Sequence, residues 1–310
     1  MNRICILGSI NMDLVLRVDR MVKSGETILS KDYKKISGGK GANQAVAAKR
    51  LGCNVCFIGK VGDDENGYQL MKVLEKDQID ISNIKYSKSS PTGMAIITVD
   101  DSGSNSIIVI PGANMEISEK DIEEAEEIIK NSKLLIAQFE TPLESTINAF
   151  RVAKANGVTT ILNPAPAKKV PDELLKLTDI IIPNETEAFD LTGVKVEDIE
   201  GVKKAAKVFV EKGVKFVIIT LGERGAALLD DEKLSIVQAH KVKVIDTTAA
   251  GDSFIGALAS KLQSEDKIDF ETIERAIKFS NKVSSIVVQR QGAQPSLPHL
   301  EEVISEYGEE

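Results

Sequence analysis

Nowhere does the sequence offer the roughly 18–20 uninterrupted apolar residues that a membrane-spanning helix requires, so no transmembrane segment is expected. The opening MNRICILGSINMD carries Arg3 and soon turns polar and acidic where a secretory leader would hold its apolar stretch, which predicts no leader. Cysteine is scarce. Cys5, Cys53 and Cys56 are too few for a disulfide framework and leave one unpaired, which fits a reducing, cytoplasmic compartment. The CxxC of Cys53 and Cys56 lacks partners for a four-ligand zinc site, because only Cys5 and the distant His240 and His299 remain. Cys56, inside the apolar run 55–58, reads instead as a small core residue. There is no basic excess either: 39 Lys and Arg against 47 Asp and Glu give a net charge of -8, which argues against a nucleic-acid partner. Nucleotides are a separate matter, since local amides and a metal ion hold them. Two familiar nucleotide loops are also missing. A Walker A motif fails because position 34 is Lys rather than Gly and Gly41 follows Lys40 in place of Ser or Thr. After the first apolar run, Gly8 is followed by Ser9, Ile10 and Asn11, which is no dinucleotide fingerprint.

What is present is a globular composition, 42% hydrophobic and 28% charged, with no repeat, low-complexity tract or long linker. Short Val- and Ile-rich runs at 4–7, 55–58, 134–137, 160–162, 180–182 and 216–220 alternate with helical patterns at 121–130, 143–155 and 202–211. That rhythm predicts βαβ units: a Rossmann-like, doubly wound α/β fold with a mainly parallel sheet flanked by helices. Two stretches, about 13–36 and 94–110, read as strand, turn, strand without a useful helix, Asp101 to Ser104 being one turn. They predict a small projecting β-sheet lid, so the expected organisation is a single domain over 1–310. Such a flap excludes water from a transfer reaction.

Chemistry concentrates in a few segments. Asp246 to Phe254, DTTAAGDSF, leads into an apolar helical run, 255–262, and its small residues let backbone N–H groups converge on an anion. Asp252 at its edge either takes a proton from an attacking hydroxyl or caps the helix. Ser37 to Gln44, SGGKGANQ, opens a helix that ends at Gly52. Its glycines either admit a hydroxyl-rich ligand, with Lys40 and Asn43 as hydrogen-bonding groups, or form a tight turn. Asn11 and Asp13 share one side of an extended segment at the carboxyl end of a strand, where open α/β sheets bind ligands. Glu140 ends another strand in the same way. Asn184 and Glu187 begin a helix, as dipole partners or as organisers of a hydrated Mg²⁺. Thr220 to Gly225, TLGERG, cradles phosphates or joins two strands.

The ordered blocks GSINMD, GGKGANQAVAA, NPAPA, PNETEA, TLGERG, DTTAAGDSF and GAQPS resemble the PfkB family of carbohydrate kinases along nearly the whole chain. Within the family the pattern closely resembles enzymes acting on ribose. The resemblance implies ATP-dependent phosphorylation of the C5 hydroxyl of D-ribose, with deoxyribose, fructose or a nucleoside as alternative acceptors and a non-catalytic sugar-binding protein as the remaining reading. It implies sugar-binding roles for Asn11, Asp13, Gly39, Lys40, Asn43 and Glu140, and makes Asp252 the base beside an anion hole of Ala249, Ala250 and Gly251. Thr220, Gly222 and Gly225 match its nucleotide loop, Asn281 its adenine side, and Asn184 and Glu187 its Mg²⁺-linked motif. Asp246, Thr248, Val287, Arg290, Gly292 and Ser296 align with a potassium site. A homodimer formed through the lid completes the expectation, and Ala249 departs from the family's usual glycine.

Overall fold

The computed structural model describes residues 3–309; residues 1, 2 and 310 of the expected domain span lie outside the described residues. In chain order the strands are β1 (Arg3–Leu7), β2 (Asn11–Arg17), β3 (Asp32–Gly38), β4 (Asn54–Gly62), β5 (Asp80–Ser87), β6 (Gly93–Val99) and β7 (Asn105–Ile110), followed by β8 (Leu134–Ala137), β9 (Thr159–Leu162), β10 (Ile180–Ile181), β11 (Phe216–Thr220), β12 (Ala226–Leu229) and β13 (Leu234–Val237). Nine of them form one sheet in the order β13-β12-β11-β10-β9-β8-β1-β4-β5. From β11 to β5 all neighbours are parallel, and β12 and β13 extend the sheet antiparallel. The doubly wound α/β expectation is met, with the strand order reversing between β1 and β8. Ligands bind at the carboxyl ends of strands flanking such a reversal.

The core follows from strand alternation. Ile4 and Ile6 face one apolar layer, Cys5 and Leu7 the other, and all four are fully buried. Each buried aliphatic side chain contributes roughly 1.5–3 kcal/mol. Cys53 belongs to the first layer and Cys56 to the second, so the CxxC pair is divided between opposite faces of the sheet. Among the described residues no helix is long and apolar enough to cross a membrane.

The remaining strands make a separate sheet in the order β3-β2-β6-β7, built from the two segments without helices. Its root lies next to the main sheet, since only Gly8, Ser9 and Ile10 separate the end of β1 from Asn11, which pairs with both Gly38 and Gly93. Its far edge, β7, exposes Ile107, Ile108, Val109 and Ile110.

Some boundaries differ from the sequence pattern. The helix expected over 121–130 is two short ones, Glu119–Glu124 and Glu126–Lys130, parted at Ala125, whose N–H is shared between the carbonyls of Asp121 and Ile122. The helix expected from 202 starts earlier, at Ile199, because Asp198 caps it by accepting from Gly201 N. The helix expected over 255–262 spans Ala250–Leu262, which places Asp252 in its first turn.

Close backbone contacts set the site's frame. A Cβ on Gly41, in the helix Lys40–Arg50, would lie 2.7 Å from Gly8 Cα at the end of β1. A Cβ on Gly256 would lie 2.6 Å from Ala47 Cβ and 2.9 Å from Gln44 O, so the helices Lys40–Arg50 and Ala250–Leu262 touch nearly backbone to backbone. Gly41→Ala is therefore expected to lower stability by about 1–3 kcal/mol, the usual cost of overpacking against atoms that cannot move aside. A denaturant midpoint unchanged from wild type would contradict this contact.

Candidate active site

The end of β1, the root of the second sheet and the starts of the two touching helices supply one cluster. Asn11 and Asp13 are the first and third residues of β2, so both side chains project from the same face of that sheet; they are 3% and 9% exposed. A Cβ on Gly38 would lie 2.1 Å from Asp13 Oδ2, so this glycine leaves the room that the Asp13 carboxylate occupies, and one on Gly39 would lie 2.7 Å from Asn11 N, so there the two backbones pass in close contact. Gly39 also takes φ 93°, a left-handed value. Glu140, just beyond β8, accepts through Oε2 from Ser9 Oγ at 2.5 Å and from Asn11 Nδ2 at 3.4 Å. Asn114 orients Asn11, donating from Nδ2 to Asn11 Oδ1 at 2.7 Å while its own oxygen accepts from Ile10 N at 2.9 Å.

Asp252 sits one helix away. Its Oδ2 accepts from Asn43 Nδ2 at 2.9 Å and its Oδ1 from Gln44 Nε2 at 3.1 Å. Burial pushes its pKa up, while Lys40, Asn43 and Gln44 pull the other way. Asn43 Oδ1 is buried without a partner, an acceptor suited to a ligand hydroxyl. Burial works against the charge on Lys40, but Asp252, Glu140, Glu187 and Asp13 together raise its pKa. Asp13 is pushed up to about 7, by burial first and then by the neighbouring Glu140 and Asp252.

A cleft of about 210 Å³ connects Lys40, Gly251 and Asp252 with Asn184, Glu187 and Thr220. Residues from four of the segments read separately along the chain thus line one cavity, while Asn11, Asp13, Asn43 and Glu140 are not among its lining residues. Asn184 and Glu187 form a reciprocal cap on the helix Glu185–Thr192, Glu187 N donating to Asn184 Oδ1 at 2.8 Å and Asn184 N to Glu187 Oε2 at 2.9 Å. Burial raises the pKa of Glu187. The cap accounts for one Glu187 oxygen, and a single carboxylate on a cleft wall fits a cation that keeps most of its water.

At the head of the Asp252 helix, Ala249 takes φ 61°, a left-handed conformation. Glycine adopts this conformation without strain, whereas a non-glycine residue there costs roughly 1–2 kcal/mol. The missing Cβ of Gly251 faces open space, leaving room for a group to approach the first-turn N–H groups. Ala250 is the first residue of the same helix.

Other expected positions stand apart from the cleft. A Cβ on Gly225 would fall 2.0 Å from Val237 O, so this glycine also serves close packing against β13, while a Cβ on Gly222 would meet nothing. Asn281 uses its amide to hold the chain after β13, donating to Val237 O at 3.1 Å and Gln238 O at 3.0 Å. Asp246 ties two loops together, Oδ1 accepting from Thr248 N at 2.9 Å and Oδ2 from Gly292 N at 2.9 Å. Arg290 and Ser296 meet in the second loop, Arg290 Nη1 donating to Ser296 O at 3.4 Å, and Val287 O accepts from Arg290 N at 3.0 Å. The donors gathered there are oxygens, which suit a hard cation, and among the described residues no group of three or more His, Cys, Asp or Glu is arranged to hold a metal. Sequence reasoning missed Ser9, Gln44, Gln138, Asn163 and Asn114 as parts of the site. Gln44 carried the clearest signal, a polar residue beside Asn43 inside 41–48, where every other residue is small or apolar.

A family profile described as pfkB family carbohydrate kinase matches residues 1–300. A ribokinase of Staphylococcus aureus is 45% identical over 303 residues, covering 97% of this chain and 98% of that protein. A bifunctional ribokinase/ribose-5-phosphate isomerase A of Fructilactobacillus sanfranciscensis is 45% identical over 306 residues, 98% of this chain; the chain spans 56% of that longer protein. The solved structure of Arabidopsis thaliana ribokinase complexed with ribose and ATP superposes with a TM-score of 0.89 at 33% identity, covering 97% of each chain. The chain belongs to the pfkB family of carbohydrate kinases.

Asp13 carries a consequence for stability. Its folded-state pKa of about 7 lies above the unfolded value, so the folded protein binds a proton that the unfolded chain releases. Stability rises as pH falls through 7. Asp13→Asn removes this term: the variant is expected to melt above wild type at pH 8, with the difference narrowing by pH 6. A difference that stays constant between these pH values would refute the assignment.

Proposed function

We propose that this protein is a ribokinase, transferring the γ-phosphoryl group of ATP to the C5 hydroxyl of D-ribose to give ribose 5-phosphate and ADP. The observation that carries this reading is the shared cleft, in which Asp252 and Lys40 face Asn184, Glu187 and Thr220 across one cavity. A non-catalytic sugar-binding protein has no need of a compensated carboxylate beside an anion-accepting helix start.

In this reading ribose lies among Asn11, Asp13, Gly39, Lys40, Asn43 and Glu140. The carboxylates accept from its hydroxyls and the amides both donate and accept. Asp252 takes the C5 proton as that oxygen attacks the γ-phosphorus in line and the bond to the β–γ bridging oxygen breaks. N–H groups of Ala249, Ala250 and Gly251, with Lys40, stabilise the charge that develops on the transferred group. Thr220, Gly222 and Gly225 support the nucleotide, with Asn281 toward the adenine end. Asn184 and Glu187 would hold Mg²⁺ through water, which screens the phosphate charges when bound. The oxygens of Asp246, Thr248, Val287, Arg290, Gly292 and Ser296 would hold K⁺, which steadies the loop leading into Ala249.

Residues 1–310 act as one kinase domain, and the second sheet serves as a lid that excludes water. The exposed Ile107–Ile110 edge is covered in a cytoplasmic homodimer joined through the lids. Ile108→Asp is expected to shift the protein to a monomer in size-exclusion chromatography with light scattering; a wild-type mass that is already monomeric would count against the dimer.

ADP formation with ribose, 2-deoxyribose, fructose or adenosine, each in potassium or in sodium alone, tests substrate and cation together. Ribose-dependent turnover raised by potassium is expected, and faster turnover with another acceptor would reassign the specificity. Asp252→Asn is expected to lower kcat by roughly 10²–10⁴-fold, the scale of a lost general base. Near-wild-type turnover would remove Asp252 from that role.

A further inference from the structure

Three buried amides that this chemistry leaves unused form a connected chain beneath Asp252. Gln138, directly after β8, and Gln44 are fully buried, and Asn163, directly after β9, is 7% exposed. The hydrogen bonds run in one direction. Asn163 Nδ2 donates to Ile182 O at 3.1 Å, so its oxygen is the end that meets Gln44, whose Nε2 donates to it at 3.3 Å. Gln138 Nε2 donates to Gln44 Oε1 at 2.6 Å. With that oxygen engaged, the NH₂ group of Gln44 is the end that reaches Asp252 Oδ1, at 3.1 Å.

The arrangement resists reversal. A flipped Gln44 would set its oxygen against the Asp252 carboxylate and its NH₂ group against that of Gln138, opposing like with like where water cannot compensate. The chain also carries a cost, because Gln138 Oε1 is buried without a partner. Apolar residues of the same shape would avoid that cost, so stability alone does not account for the polar pair. Room for it depends on Gly8, where a Cβ would lie 2.3 Å from Gln138 Oε1.

We propose that Gln44 is a positioning residue for Asp252: locked by Gln138 and Asn163, it holds the carboxylate at the cleft and favours its ionised form. The proposal rests on reading Asp252 as the base. Of the charged groups around that carboxylate, Lys40 on the first helix favours ionisation, whereas Glu140 after β8, Asp13 on β2 and Glu187 on the helix Glu185–Thr192 oppose it. Asn43 is the other neutral donor. Removing one of two donors leaves the negative neighbours less opposed, so the proton is held to higher pH.

The test is the pH dependence of kcat at saturating ribose and ATP for wild type, Gln44→Met and Gln138→Leu. In Gln44→Met the acid limb is expected to move up by about one pH unit, the scale of one lost bond to a charged group. Gln138→Leu, which unlocks Gln44 but leaves it in place, moves the limb the same way by less, and it carries the test if Gln44→Met does not fold. A kcat lowered equally at every pH, with the limb unmoved, overturns the proposal. Carboxyl ¹³C NMR of Asp252, assigned by its loss in Asp252→Asn, reads the same titration without turnover. A folded wild type without turnover refutes the kinase reading; an Asp252 resonance titrating identically in all three proteins refutes the relay.

Discussion

The site is organised around the burial of one negative charge. Asp252 is 9% exposed, and a carboxylate taken that far from water must be matched by donors or neutralise itself. Its two oxygens are met by Asn43 and Gln44, adjacent residues on another helix. They reach it because Gly256 lets the two helices approach until a single added methyl would collide with Ala47. Gly41 and Gly8 make the same kind of contact between that helix and β1. The glycines are thus part of the electrostatics: they set how close the compensating amides come.

A second tension lies at the root of the second sheet. Asp13, Glu140 and Asp252 repel one another across a partly dry space, with Lys40 as the nearby cation. In the absence of ligand this arrangement is costly. In the proposed reading, a polyol inserted among the groups would supply hydroxyl protons to these acceptors. Asn11 and Asp13 are also the first and third residues of a strand of the second sheet, so a ligand that engaged them would engage the base of that sheet.

Much of this was legible in the sequence, for reasons of periodicity. Buried parallel strands show as short apolar runs, and the reversal of strand order places their carboxyl ends together. The helix ends at Gly157 and Gly213 were readable because both take left-handed φ values of 72° and 103°. The break at Ala125 was not, since the residues on either side are good helix formers and the tight turn depends on packing. Lys40, Asn43, Glu140 and Asp252 stood out because each follows a glycine cluster or a strand. Gln138 and Asn163 at strand ends and Asn114 in the turn 112–116 did not: an isolated polar residue has no pattern, and its role is set by partners between 94 and 119 residues away in the chain. Reciprocal capping by Asn184 and Glu187 illustrates the reverse, a local signal that is also structurally satisfied.

The central claim is geometric, that one cleft brings the sugar's C5 hydroxyl to Asp252 and the end of the triphosphate to the start of its helix. A crystal structure with ribose and a non-hydrolysable ATP analogue tests it most directly. The account predicts the C5 oxygen within hydrogen-bond reach of the Asp252 carboxylate, about 2.6–3.2 Å, with the terminal phosphate against the N–H groups of residues 249–251. A sugar bound among Asn11, Asp13 and Asn43 with its C5 hydroxyl turned away from Asp252, or a triphosphate ending elsewhere in the cleft, would contradict it.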